Sequence, residues 1–292
     1  MNSAKLIWLA LTAALLLSAS MALAMPQSSA AEYPDAPDVQ ASSANASREN
    51  ALHENAKKSP RPKTQAEYDA YQAAASLADS AKLEAAATDF AQRFPASELR
   101  SVLFQQAMGL YEQANDPGKT LEMARAALKY DPGNAVALLV AAQVLAERTH
   151  DNDLDRDDRF AEANADAHSA LQTAVDIAPP TNLTSEQFAA ALAELRGAAH
   201  EVLGTVAFKK LDNISAIKEY DLATAEEKEH TDAVVWLRLS VALERSGDYT
   251  TAAAIVQKAI AASQPGSPVR QLAEQEQSRL EKLSSDAAKT RK

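Results

Sequence analysis

One stretch of this 292-residue chain has residue types and spacing suited to chemistry. It reads Asp151-Asn152-Asp153-Leu154-Asp155-Arg156-Asp157-Asp158, with Glu162 following. Carboxylates at relative positions 1, 3, 5 and 12 are the ligand spacing of a helix–loop–helix calcium site, and a hard cation takes six to eight such oxygens. Asp151, Asp153, Asp155 and Glu162 are therefore the candidate metal ligands. Two departures weigh against them. Arg156 stands where the sharp turn wants Gly, and Asp158 stands where an apolar residue is usual. The competing expectation is a solvated acidic insertion, with a new helix starting at Asp157.

Other chemistry finds little footing. The five histidines (53, 150, 168, 200 and 230) are dispersed. His200-Glu201 is half of a zinc-protease pattern, but Gly204 occupies the second His position. The chain has no G-x-S-x-G elbow, P-loop or dinucleotide fingerprint. It also has no Cys, which removes disulfides, thiolate metal sites and thiol nucleophiles. The net charge of −11 disfavours binding to a phosphate backbone. The expectation is a non-enzymatic protein with no cofactor and no nucleic-acid partner.

The elements that position these residues are helical. Ala occurs 65 times and Gly 7 times, a balance that favours helices over the tight turns of a β-rich fold. Residues 1–24 read as a cleaved signal peptide: Lys5, an apolar run from Leu6 to Leu17, then Ala22-Leu23-Ala24 with cleavage before Met25. The alternative is an uncleaved anchor, since Leu6 to Met25 is long enough to span a bilayer. After cleavage no membrane-spanning stretch is left, so the expected location is periplasmic or secreted. Residues 25–63 are rich in Pro, Ser and Ala and poor in large apolar residues, as a disordered linker is. A polar tail is expected over 285–292.

Between them, residues 64–284 read as about five helix pairs and a cap. The clearest pair runs Trp236, Leu239, Leu243, Gly247-Asp248-Tyr249, Ala252, Val256, Ala259, Pro265. A second carries Phe104, Ala107, Tyr111, Asn115-Asp116-Pro117-Gly118, Ala124, Ala127 and Asp131-Pro132. A third centres on Leu203-Gly204, Ala216, Tyr220 and Ala223, with its first helix extended back to a Thr184–Gln187 capping box. A fourth, from Leu138, Ala141 and Leu145 to Ala167, Leu171 and Ala174, is split by the acidic insertion. A degenerate pair holds Tyr68, Tyr71, Leu83 and Phe90, and Ser267-Pro268 starts a last helix with one apolar stripe.

This spacing resembles the tetratricopeptide repeat (TPR) family, in its bacterial-envelope members. The resemblance implies an all-α fold, a right-handed α-solenoid of TPR-like helix pairs with a C-terminal capping helix. It also implies a protein or peptide partner held on the concave wall, which the first helix of each pair lines. At the family's contact positions this sequence places Gln105, Glu112, Leu139, Gln143, Glu201, Thr205, Phe208, Leu237, Val241 and Glu244. The Lys and Asn that clamp a C-terminal carboxylate in some members are replaced by Gln105, Leu139, Glu201 and Leu237. The wall is apolar with scattered acids, which suits an apolar or mildly basic segment.

The leading expectation is an exported adaptor or scaffold. A self-assembling envelope protein (a homo-oligomer) and a calcium-dependent binding module using 151–162 stay open beside it, and a metal-dependent hydrolase is the most distant. Protein recovered from its host is expected to begin at Met25. N-terminal sequencing checks this, and a start at Met1 in the membrane fraction would establish the anchor instead.

Overall fold

The computed structural model describes residues 60–180, 183–228 and 231–290, with side chains described as far as residue 283. The signal segment expected over 1–24 and nearly all of the expected linker lie outside these residues. Eleven α-helices follow one another among the described residues, with no strand. They are α1 (Gln65–Ala75), α2 (Ser80–Arg93), α3 (Leu99–Gln113), α4 (Pro117–Tyr130), α5 (Ala135–Arg148) and α6 (Arg156–Thr173). After a 3-10 turn over Ala174–Asp176 come α7 (Ser185–Lys209), α8 (Asn213–Glu227), α9 (Ala233–Arg245), α10 (Tyr249–Ala262) and α11 (Pro268–Thr290).

Each helix packs on the next, most extensively within α3/α4, α5/α6, α7/α8 and α9/α10. First helices also touch across pairs: α1 on α3, α5 on α7, α7 on α9, and α9 on α11. This order of contacts is an all-α solenoid of TPR-like pairs. Small residues set the spacing. Ala107, Ala124, Ala127, Ala163, Ala167, Ala170, Ala216, Ala223, Ala252 and Ala259 are all wholly buried. At α7/α8 even Ala is too large, because a Cβ on Gly204 would stand 2.7 Å from the Tyr220 ring. Larger side chains (Leu83, Phe90, Leu103, Phe160, Leu195, Tyr220, Leu239) are fully buried among these helices.

The helix start expected at Asp157 falls one residue earlier, and the polar tail is in large part helical backbone. The acidic insertion is largely helix, since α6 starts at Arg156 and leaves a loop of residues 149–155. No Gly or Pro interrupts 156–173, and Phe160, Ala163, Ala167 and Ala170 form one buried face. The tail expected over 285–292 is helical backbone as far as Thr290, because nothing after Pro268 breaks α11.

Three of the hairpin turns share one geometry. Asn115 (φ 55°), Leu211 (φ 62°) and Gly247 (φ 86°) each end a first helix in the left-handed region. The following Asp N–H closes a Schellman loop, Asp116 to Tyr111 O at 3.0 Å, Asp212 to Ala207 O at 2.9 Å, and Asp248 to Leu243 O at 3.0 Å. The same Asp then caps the second helix, accepting from the N–H of Lys119, Ser215 or Thr251. Leu211 is the outlier, a branched side chain in a conformation that suits Gly or Asn. Leu211 is 68% exposed, so truncating it forfeits little burial. Leu211→Gly should therefore raise stability by roughly 0.5–1 kcal/mol in a denaturant titration. At Gly247 a Cβ meets nothing within 4 Å, so Gly247→Ala should cost about 1 kcal/mol from backbone conformation alone.

Candidate functional site

The inner wall is built from α3, α5, α7, α9 and α11, and charged side chains tie three of these together. Arg238 on α9 donates to both oxygens of Glu147 at the end of α5, at 2.7 and 3.0 Å. It also donates to Thr205 Oγ1 on α7 at 2.9 Å. The Thr205 hydroxyl lies 3.3 Å from the Tyr220 hydroxyl on α8. Lys209 at the end of α7 donates to the carbonyls of Ala146 (2.7 Å), Glu147 (2.9 Å) and Thr149 (3.2 Å), where α5 ends with orphan acceptors. Burial pushes the Glu147 carboxyl up, but Arg238, Lys209 and Arg148 outweigh it and hold Glu147 below the usual carboxylate range.

Acids without such partners stand beside this knot. Glu201 lies one turn before Thr205 and makes no hydrogen bond among the described residues. Burial first, and then Glu147 and Asp232, push it up to about 7 against the pull of Arg238. Glu227, at the end of α8, lies over Gly197 on α7, where a Cβ would stand 2.5 Å from Glu227 Cγ. Burial, followed by Glu201, Asp232 and Glu194, pushes Glu227 up to about 8.

Toward the C-terminal end the wall becomes apolar. A groove of about 730 Å³ runs between α9 and α11. Phe208, Val234, Leu237 and Val241 line one side, and Pro268, Val269 and Leu272 the other. Leu272 is 54% exposed. Arg238 closes one edge of the groove, and Gln275, Glu276 and Arg279 the other. Arg279 bridges Glu244 on α9 and Glu276 on α11. Glu276 is 5% exposed, and its Oε1 is buried without a hydrogen-bond partner. Burial, set against Arg279 and reinforced by Glu244, raises its pKa.

The ten residues chosen from the contact positions therefore separate. Phe208, Leu237 and Val241 line the groove, and Glu244 anchors its edge through Arg279. Glu201 and Thr205 adjoin it through Arg238. Gln105 is buried and accepts from Asn134 Nδ2 at 2.7 Å, a tie between pairs. Leu139 is 5% exposed and belongs to the core; Gln143 and Glu112 are half-buried on α5 and α3. Arg238, Glu227 and Asp232 were not among them. Arg238 sits one position past a contact residue, and Glu227 reaches the wall from a second helix.

The four candidate metal ligands do not converge. Glu162 lies on α6 and takes a two-pronged contact from Arg125 at 2.7 and 2.8 Å. Asp153 accepts from the His150 N–H at 2.8 Å, and Arg159 lies 3.9 Å from both Asp153 and Asp155. Asp151 is 3.6 Å from Arg156. Among the described residues no group of three or more His, Cys, Asp or Glu is placed to hold a metal ion. Calcium at about 5 mM should leave the melting temperature unmoved, where a folded-state ligand would raise it by mass action.

No protein-family model matches this sequence, and no curated protein matches it. Among solved structures it is similar to the crystal structure of YrrB, described as a TPR protein with an unusual peptide-binding site. The identity is 15%, over 68% of this chain and 100% of that one, with a TM-score of 0.27. The fold assignment accordingly rests on the helix packing described above.

The raised pKa of Glu227 has a consequence for stability. The folded state keeps this proton to about pH 8, whereas the unfolded chain releases it near the ordinary value of 4.5. The associated stability is full below pH 4.5 and is lost as pH rises through 8. Glu227→Gln removes the effect. The variant should gain on the wild type progressively between pH 4.5 and 9, by roughly 1–2 kcal/mol after solvent screening, in denaturant titrations across that range.

Proposed function

We propose that this chain is an exported, non-catalytic scaffold that holds a segment of another protein against the inner wall of its solenoid. Residues 1–24 direct export, residues 25–63 act as a tether, and the work is done in the periplasm or outside the cell. The observation that carries this reading is the open groove between α9 and α11, with Phe208, Leu237, Val241 and Leu272 meeting at its apolar walls. An uncovered concave surface on which several apolar side chains converge marks an interaction site.

The reading favours a partner over self-assembly. On α11, Gln271, Glu274, Gln275, Ser278, Glu281 and Lys282 are exposed, so the last helix turns a hydrophilic face outward instead of an apolar stripe ready for another pair. Among the described residues no helix is long and apolar enough to cross a membrane.

A photo-crosslinking residue placed at Leu237 or Val241 should give discrete adducts in the native host. The same residue at Gln257, exposed on α10, should give none. Equal labelling from both positions would remove the groove as the binding face.

A further inference from the structure

The groove between α9 and α11 presents cations, not acids, at the end where α9 stops. We infer that it takes a protein segment in which bulky apolar side chains are flanked by Asp or Glu, the apolar groups between Leu237 and Leu272 and the carboxylate at the end marked by Arg245 and Arg279. This rests on the proposed groove and adds a charge requirement to it.

Charge complementarity carries the inference. Arg279 lines the groove and covers its own carboxylates. Its side chain is 52% exposed, whereas Glu244 and Glu276 beneath it are 13% and 5% exposed. Nε and Nη2 make these contacts, and Nη1 donates to nothing among the described residues. A partner therefore meets the guanidinium first. Arg245, the last residue of α9, is also exposed. Its Cζ lies 4.5 Å from the ring centroid of Phe208, a groove residue, and it enters no ion pair among the described residues. The acids of the inner wall stand elsewhere. Glu147 lies on α5, held by both arms of Arg238. On α7, Thr205 meets Arg238 and Phe208 meets Arg245, so α7 and α9 run in the same direction. Glu201, one turn before Thr205, is thus toward the end away from Arg245, where Asp232 caps the first turn of α9.

The contact positions read from the sequence favoured an apolar or mildly basic segment. The structure reverses the sign, because Glu244 sits under Arg279. Glu244 and Arg279 stand seven residues beyond Leu237 and Leu272 on their helices, so the charged end lies about 10 Å past the apolar middle. Asp or Glu arriving there accepts from the spare Nη1 of Arg279 and pairs with Arg245, and it displaces no existing ion pair. Lys or Arg in the same place meets two like charges. An extended chain covers this distance in about three residues, so the apolar and acidic side chains belong to one short segment.

The probe is a library of random peptides of about 12 residues, displayed on phage without a free carboxyl terminus and panned on the full chain. Selected sequences should carry Leu, Phe or Met with Asp or Glu about three residues away. A synthetic copy of the strongest should bind Arg245→Gln about threefold more weakly, as an exposed ion pair allows. Arg245→Glu, which turns attraction into repulsion, should weaken it about tenfold. Arg245→Lys, which keeps the charge, should stay within about twofold of the wild type. The double variant Leu237→Asn, Leu272→Asn removes apolar surface without adding charge and should abolish binding. Circular dichroism confirms that each variant is folded, and Leu272→Asn alone, at an exposed position, repeats the groove test if the double variant unfolds. Selected peptides without acidic residues, or unchanged affinity for Arg245→Glu, would overturn the charge requirement and leave the groove standing. Binding that survives substitution of the groove, or a library that yields no binder, would overturn both.

Discussion

A helix hairpin with apolar stripes on two of its sides cannot bury both within itself, and the architecture of this chain follows from that constraint. Within a hairpin the contact is made by Ala and Gly, so the backbones come close: Ala124 and Ala127 in α4, Ala216 and Ala223 in α8, Ala252 and Ala259 in α10. Larger side chains complete the packing, within a hairpin where a Gly leaves room, as for Tyr220 over Gly204, and across to the next hairpin. Three large buried clusters result, and they share helices. α5 contributes to the first and second, while α7 contributes to the second and, through Ala207 and Phe208, to the third. Because neighbours complete one another's cores, the first helices have no freedom to rotate independently. The inner wall is a continuous surface for that reason.

The ion pair between Arg238 and Glu147 belongs to this wall and not to the core. A partly exposed pair of this kind adds little net stability, because solvent screens the attraction. What the pair fixes is geometry. Residues separated by 91 positions meet at 2.7 Å, and Thr205 between them accepts from the same guanidinium. Together with Lys209 on the end of α5, this locks the relative heights of α5, α7 and α9. Apolar contacts between alanine-rich faces tolerate sliding by a fraction of a turn. Bidentate hydrogen bonds do not.

What the sequence made legible divides along the same line. Local signals were readable: the capping box at Thr184, the close approach at Gly204 and the Pro that begins α11. These depend on a few neighbouring residues. The left-handed turn at Leu211 was hidden, since Leu gives no hint of positive φ and only the Asp that follows it betrays the motif. The calcium spacing failed for a non-local reason. Glu162 is claimed by Arg125, 37 residues away on another helix, and linear spacing carries no record of competitors. The acids beside the groove were missed in part because contact positions were taken only from first helices, whereas Glu227 arrives from the end of α8.

Position along the stack decides where the wall is open. Midway, Leu139 is covered as α5 and α7 pack closely, and Gln105 is consumed by Asn134. At the C-terminal end a single helix takes the place of the next pair. α11 leans on α10 and touches α9 less extensively. The space left between α9 and α11 is the groove. Its walls are held by Arg279 on one edge and by the Arg238 knot on the other, so the site exists before anything binds. A preformed site spares a partner the cost of ordering the receptor, and only the incoming segment loses conformational freedom. The packing of α11 against α10 and α9 thus also shapes the apolar groove, and the charges that fix the register of the stack hold its edges.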